Sequence, residues 1–193
     1  MALTFPVDPM RAQLGTLPVD DERWAFEVKW DGYRTLAFVD DGHVRLQSSR
    51  MHDVTATYPE LADLASGVHA TTAILDGELV VLDAEGRPRF ELIQRHTRPA
   101  VLNVFDVLLI DEHDTIGLPY EDRRRLLEQL VEPGTNWTVP RHRVGGGAEL
   151  LEATGEQGLE GVMAKRLGSL YVPGKRTTDW RKVKHRRRVD VAI

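Results

Sequence analysis

The run Glu27-Val28-Lys29-Trp30-Asp31-Gly32-Tyr33-Arg34 brings an amine, two carboxylates and a guanidinium into one short stretch. A period of two predicts a strand, with Phe26, Val28 and Trp30 on one face and Glu27, Lys29 and Asp31 on the other. The apolar face can anchor in a core while the polar face lines a pocket, and Gly32 bends the chain out of it. One amine on a fixed strand, flanked by acids and followed by a cation, suits nucleophilic attack on a phosphorylated substrate. Such attack needs the unprotonated amine, whereas a free lysine has a pKa of ~10.4. Desolvation and neighbouring cations lower that value, and neighbouring carboxylates raise it.

Four other stretches also set charged residues into apolar strands, where burial is costly unless the charge is paired or used. Leu75-Asp76-Gly77-Glu78 puts Asp76 and Glu78 on one face. Asn103-Val104-Phe105-Asp106 sets an aromatic beside an acid. Glu160-Gly161-Val162-Met163-Ala164-Lys165 and Trp180-Arg181-Lys182-Val183-Lys184 follow, the latter with Lys182 and Lys184 on a shared face. Taken singly, each reads as a salt bridge or a solvated face. Together they supply what nucleotidyl transfer requires: a nucleophile, carboxylates for a divalent ion, cations for phosphates and an aromatic surface for a base. Gly145-Gly146-Gly147 before a helix lacks the phosphate-loop pattern and reads as a flexible loop and helix start.

The elements that must position these residues follow from local pattern. Strands are expected over 24–30, 33–39, 43–47, 73–83, 100–110, 137–139, 159–166 and 179–184, with a tight turn at Asp40-Asp41-Gly42. Helical spacing is expected over 58–64, 90–96, 120–130 and 148–153, with Leu126, Leu127 and Leu130 as the inner stripe of the third. Residues 1–23, with Pro6, Pro9 and Pro18, read as an extended lead-in that wraps the domain. Strands grouped rather than alternating with helices predict an α+β fold with largely antiparallel sheets flanked by helices.

Composition narrows the partners. A 193-residue chain is long enough for one sizeable domain, and 41% hydrophobic with 28% charged residues is ordinary for a globular protein. The absence of cysteine excludes disulfides and cysteine-ligated zinc, and no two of the seven histidines sit at helical ligand spacing. No apolar run approaches the ~20 residues of a membrane span. The first residues also lack the layout of a secretory signal, so a cytoplasmic protein is expected. From Lys175 onward eight Lys or Arg face two acids, a local charge of +6 in a chain of −5, leaving −11 on the rest. A basic strip on an acidic body implies an anionic partner at one place.

The ordered set resembles the covalent nucleotidyltransferases, most closely the adenylation domain of bacterial ATP-dependent DNA ligases, over almost the whole chain. Lys29-Trp30-Asp31-Gly32 is similar to the family's lysine motif, and Arg34 to the arginine after it. Asp76-Gly77-Glu78, Val104-Phe105-Asp106, the run from Glu160 to Lys165, and Lys182-Val183-Lys184 match the later motifs in order. The resemblance implies an ATP-grasp-like nucleotidyltransferase fold over 1–184 and attack by Lys29 on the α-phosphate of ATP, forming lysyl-AMP. By the same resemblance Glu27 helps read adenine, Phe105 stacks on it, and Arg34 and Glu78 approach the ribose. Glu160, with Glu78, holds magnesium or manganese, and Lys182, Lys184 and Arg176 neutralise the α-phosphate. The family's further ribose-contacting arginine falls on Ser49 in an ungapped match and on Arg50 after a one-residue slip.

The implied partner is nicked double-stranded DNA in a bacterial cytoplasm, at the nucleoid, with end-joining or gap-repair proteins. Residues 185–193 read as a basic hinge toward an OB-fold domain absent from this chain and needed for efficient sealing. An RNA ligase or GTP-using capping enzyme shares the lysine chemistry, but the spacing and wording of the motifs favour DNA ligase. A non-catalytic nucleotide-binding module is disfavoured by the presence of Lys29.

Overall fold

Short alternating runs separated by turn residues give eleven strands among the described residues, 4–95 and 98–185 of a computed structural model. One sheet runs β1 (Arg11–Leu14), β11 (Arg176–Lys184), β10 (Gly161–Arg166), β2 (Trp24–Val28), β9 (Arg143–Val144). The other runs β4 (His43–Ser48), β3 (Tyr33–Asp40), β5 (Thr72–Val80), β6 (Val101–Ile110), β7 (His113–Asp114), with β8 (Trp137–Thr138) beside β6. Only β1–β11 and β6–β8 pair in parallel among the described strands. The α+β expectation with largely antiparallel sheets therefore holds. Among the described residues three α-helices flank the sheets: α1 (Phe90–Arg95), α2 (Tyr120–Leu130) and α3 (Gly147–Glu156). No helix among the described residues is long and apolar enough to cross a membrane.

Three apolar layers hold this arrangement. Between the sheets lie Met10, Ala25, Leu36, Ile74, Leu108, Tyr171 and Trp180. On the outer face of the second sheet Leu61, Leu64, Leu127 and Leu130 pack against Leu75, Leu79, Val104 and Val107. The outer face of the first sheet buries Trp24, Phe26, Val162 and Val183, with Leu150 and Leu151 of α3 packed against them. Fully burying side chains such as Leu61 and Leu64 contributes about 1.5–3 kcal/mol each.

Several expectations change in detail. The first strand stops at Val28 rather than residue 30, although the Lys29 amide still donates to the Gly161 carbonyl at 2.9 Å. Gly32 is needed for close approach rather than for a bend: a Cβ there would stand 1.9 Å from the Leu79 carbonyl oxygen. The stretch expected as an α-helix over 58–64 is a 3-10 helix, Pro59–Gly67, in which the three-residue spacing of Leu61 and Leu64 keeps both on one face. The lead-in contains β1, whose Pro-rich surroundings and lack of alternation hide it from pattern. The inner face of α2 carries Tyr120, Arg123 and Arg124 with Leu127 and Leu130, while Leu126 is only partly buried.

Two turns behave as their residues require. Asp41 and Gly42, at φ 44° and 79°, close the β3–β4 hairpin in the left-handed conformation of its two-residue turn. The amides of Gly146 and Gly147 donate to the Asp21 carboxylate, at 2.5 and 3.3 Å to Oδ2. The chain's own acid thus satisfies the start of α3, and the glycine run is a capped helix entry. Of the expected hinge over 185–193, all but His185 lies outside the described residues, as do the last residue of the expected 90–96 helix and the start of the lead-in.

Candidate active site

The two sheets face each other across one cavity, and most of the residues singled out above line it. β2 and the residue after it supply Glu27 and Lys29, β10 supplies Met163 and Lys165, and β11 supplies Arg176, Trp180 and Lys182. The second sheet contributes Arg34 from β3, Glu78 from β5 and Phe105 from β6. Pro9, Met10, Arg11 and Ala12 of the lead-in close one side.

Lys29 lines this cavity, its amine paired with Glu160. The other oxygen of Glu160 pairs with Lys184 at 2.5 Å. These contacts hold the Glu160 carboxyl below its ordinary value against the opposing effect of burial. Lys182 is pushed the other way: burial, then Arg176, Lys29 and Lys184, lower its amine below the usual lysine value. Among the described residues no carboxylate forms an ion pair with Lys182 or Arg176. The Arg176 guanidinium donates to the Ala12 carbonyl at 2.6 Å. A cluster of cations without its own counter-ion is a place for an anion.

Deeper in, Arg34 forms a two-pronged pair with Asp76, which also accepts from the Tyr171 hydroxyl at 2.7 Å. The guanidinium carbon lies 4.6 Å from the Phe105 ring centroid. Asp76 is therefore the internal counter-ion of Arg34, while Glu78 on the same strand face has no ion-pair partner among the described residues. Burial pushes the Glu78 carboxyl up to about 7, against the pull of Arg34 and Lys29. At the floor, Glu27 accepts from Lys165 and from the Tyr120 hydroxyl. Burial alone would raise this carboxyl; Lys165, Arg124 and those hydrogen bonds hold it below the ordinary value. The Lys165 amine lies 4.1 Å from the Phe105 centroid and 4.5 Å from that of Trp180.

Not every expected residue reaches the cavity. Arg50 is exposed and outside the lining set, whereas Ser49 lines it, so the ungapped placement is the one that meets the site. Asp31 leaves the face of Glu27 and Lys29 because β2 has already ended. It lines a second cavity with Glu160, Lys184 and His185. Lys184 and Glu160 thus adjoin the first cavity through Lys29 rather than lining it. Asp106 points away from the cavity aromatic Phe105 to pair with Arg123 at 2.8 and 2.9 Å, both side chains fully buried.

Sequence reasoning left Lys165, Met163 and Trp180 out of the site, although all three stand in stretches it singled out. The signal for Lys165 was a lysine inside a β-strand with no adjacent acid, which requires a distant carboxylate. Tyr120 and Arg124 carried no signal beyond their spacing of one helical turn.

The ATP dependent DNA ligase domain profile matches residues 9–184. The multifunctional non-homologous end joining DNA repair protein LigD of Mycobacterium tuberculosis (strain ATCC 25618 / H37Rv) is 44% identical over 188 residues, covering 96% of this chain and 25% of that protein. The LigD of Pseudomonas aeruginosa is 37% identical over 201 residues, covering 97% of this chain and 23% of the relative. A solved mycobacterial DNA ligase D, complexed with ATP and MES, superposes with a TM-score of 0.82 at 41% identity, over 93% of this chain and 60% of that one. The chain therefore spans only part of the relatives it matches. With the profile running from the lead-in to the last strand of the site, this chain belongs to the ATP dependent DNA ligase domain family.

Proposed function

We propose that this chain is the adenylation module of an ATP-dependent DNA ligase and that Lys29 is its nucleophile. The observation that carries the reading is the placement of the Lys29 amine beside Lys182 and Arg176, cations that lack a carboxylate partner among the described residues. In this scheme adenine enters the slot bounded by Phe105, Met163 and Glu27, and Arg34 and Glu78 meet the ribose. Ser49 lies at the same wall, and Arg50 is left to solvent. The phosphates lie toward Lys182, with Arg176 and Lys184 adding charge.

Lys29 gives up its ammonium proton to solvent, and its nitrogen attacks the α-phosphorus, shedding a second proton to solvent as the N–P bond forms. The bond from that phosphorus to the bridging oxygen breaks, and pyrophosphate leaves. The resulting phosphoramidate is lysyl-AMP. A 5′-phosphate oxygen at a DNA nick then displaces Lys29 from phosphorus. Attack by the neighbouring 3′-hydroxyl finally releases AMP and joins the strand. Lys182 stabilises the charge that builds on the α-phosphoryl oxygens in the first two steps.

The donor set fits a magnesium or manganese ion that arrives with the nucleotide. Glu78 offers a carboxylate without an ion-pair partner among the described residues, and Glu160, paired with Lys29 and Lys184, would have to exchange those partners to add a second; magnesium is ordinarily held by one or two carboxylates together with substrate phosphates. When bound, the ion would neutralise phosphate charge. End joining is the pathway suggested by the LigD relatives.

Mass spectrometry of the protein with ATP and a divalent ion tests the nucleophile. A gain of one AMP moiety is expected in the wild type and its complete loss in Lys29→Ala. A labelled Lys29→Ala protein would sink the assignment.

A further inference from the structure

Helix α2 reaches the floor of the nucleotide cavity with its first turn. Tyr120, its first residue, is fully buried and donates its hydroxyl proton to Glu27 Oε1. Arg124 follows one turn later on the same face and is 2% exposed. Its Nη2 donates to the Pro140 carbonyl, and its Nε donates to Glu128 at 2.9 Å. The remaining nitrogen, Nη1, is buried with no hydrogen-bond partner and stands 3.9 Å from Glu27 Oε1. Lys165 completes the ring from β10, 3.0 Å from Oε1 and 2.9 Å from Oε2.

An ionised carboxylate has about four lone-pair sites. Tyr120 and Lys165 occupy two on Oε1 and one on Oε2, which leaves one on Oε2. Tyr120, Arg124 and Lys165 are all hydrogen donors here, so Glu27 keeps no proton of its own and its remaining site can only accept.

We propose that Tyr120 and Arg124 are positioning residues that fix Glu27 as an acceptor-only reader of the 6-amino group of adenine, and so set a preference for 6-amino over 6-oxo purine nucleotides. The inference rests on the preceding reading, in which the base sits against Glu27. A 6-amino group donates to the open lone pair. A 6-oxo group would bring a second acceptor against a buried carboxylate, leaving both without a proton between them. Sites built to hydrogen-bond one group reject analogues that lack it far better than apolar pockets do. Neither Tyr120 nor Arg124 touches the nucleotide. Their effect passes through the orientation and charge of Glu27.

Equilibrium binding of ATP and of inosine triphosphate, its 6-oxo counterpart, tests this. The wild type is expected to bind ATP at least about tenfold tighter. Tyr120→Phe removes one hydroxyl, so Glu27 loses a donor and turns more freely. The ATP to inosine triphosphate ratio should then narrow by about fivefold, mainly through weaker ATP binding. Glu27→Gln, whose amide both donates and accepts, should abolish the ratio. A merely structural role for Tyr120 would lower the melting temperature and both affinities together and leave the ratio unchanged. If Tyr120→Phe does not fold, Arg124→Lys, which keeps the charge but loses the fixed fork, provides the same comparison. A folded variant with the wild-type ratio overturns the proposal, and so does a wild type that binds both nucleotides equally.

Labelling of Lys29 is scored separately. A wild type that prefers ATP but never acquires AMP defeats the adenylation reading and leaves the base preference standing. A wild type that labels, with Tyr120→Phe still at the wild-type ratio, defeats this inference alone.

Discussion

Burial pushes the Glu78 carboxyl up to about 7, so in the empty domain it holds a proton where an ordinary glutamate has lost one. A raised folded-state pKa stabilises the fold fully below the unfolded value and loses that contribution as pH climbs through about 7. Between pH ~4.5 and ~7 the free protein should lose up to about 3 kcal/mol from this group, read from urea midpoints, and Glu78→Gln should flatten the slope. Nucleotide capture should run the opposite way. A carboxylate serves ribose hydroxyls and a hard cation better than a carboxyl does, so adduct formation should rise through the same interval. An unchanged pH profile in Glu78→Gln would remove Glu78 from that role. Lys29, Arg34, Glu78 and Lys182 were legible in sequence because charge inside an apolar strand demands a purpose, and Phe105 because it stands beside such a charge; Arg176 entered only through the family resemblance. Ser49 and Lys165 were less so: a serine carries no charge signal, and the acid that partners Lys165 lies 138 residues away.

Helix α2 shows how an element can be recognised while its role is misread. Its bounds follow from apolar spacing, yet two of its five buried residues are arginines, because strand β6 offers Asp106 and β2 offers Glu27 to neutralise them. Hydropathy counts such arginines as surface, and only three-dimensional pairing reverses that. The Arg123–Asp106 pair locks the helix to the strand that carries Phe105. Asp106→Ala leaves a buried guanidinium uncompensated and should cost about 3–5 kcal/mol of stability by chemical denaturation. A loss below about 1 kcal/mol would mean that water or backbone carbonyls, such as those of Leu118 and Ser169, already satisfy Arg123. Strand β1 was hidden for a different reason. It forms because β11 presents an unpaired edge, which is a property of the partner rather than of the four residues themselves.

Across the whole molecule the cavity takes walls from both sheets, so a bound nucleotide ties together layers that otherwise meet through apolar packing. ATP should therefore stabilise the entire domain in one cooperative transition. With Lys29→Ala protein, so that only reversible binding is read, ATP at 100 times its dissociation constant should add about 2.7 kcal/mol. A melting curve that splits into two steps, or does not move, would mean that the nucleotide engages one sheet alone. The lead-in strand has its own consequence for biosynthesis. Arg11 opens β1, and its register partner Arg176 lies 165 positions later. On the ribosome β1 must wait, unpaired, until β11 has emerged. A nascent domain would thus remain unable to capture ATP until the strand that carries Arg176 and Lys182 has been made.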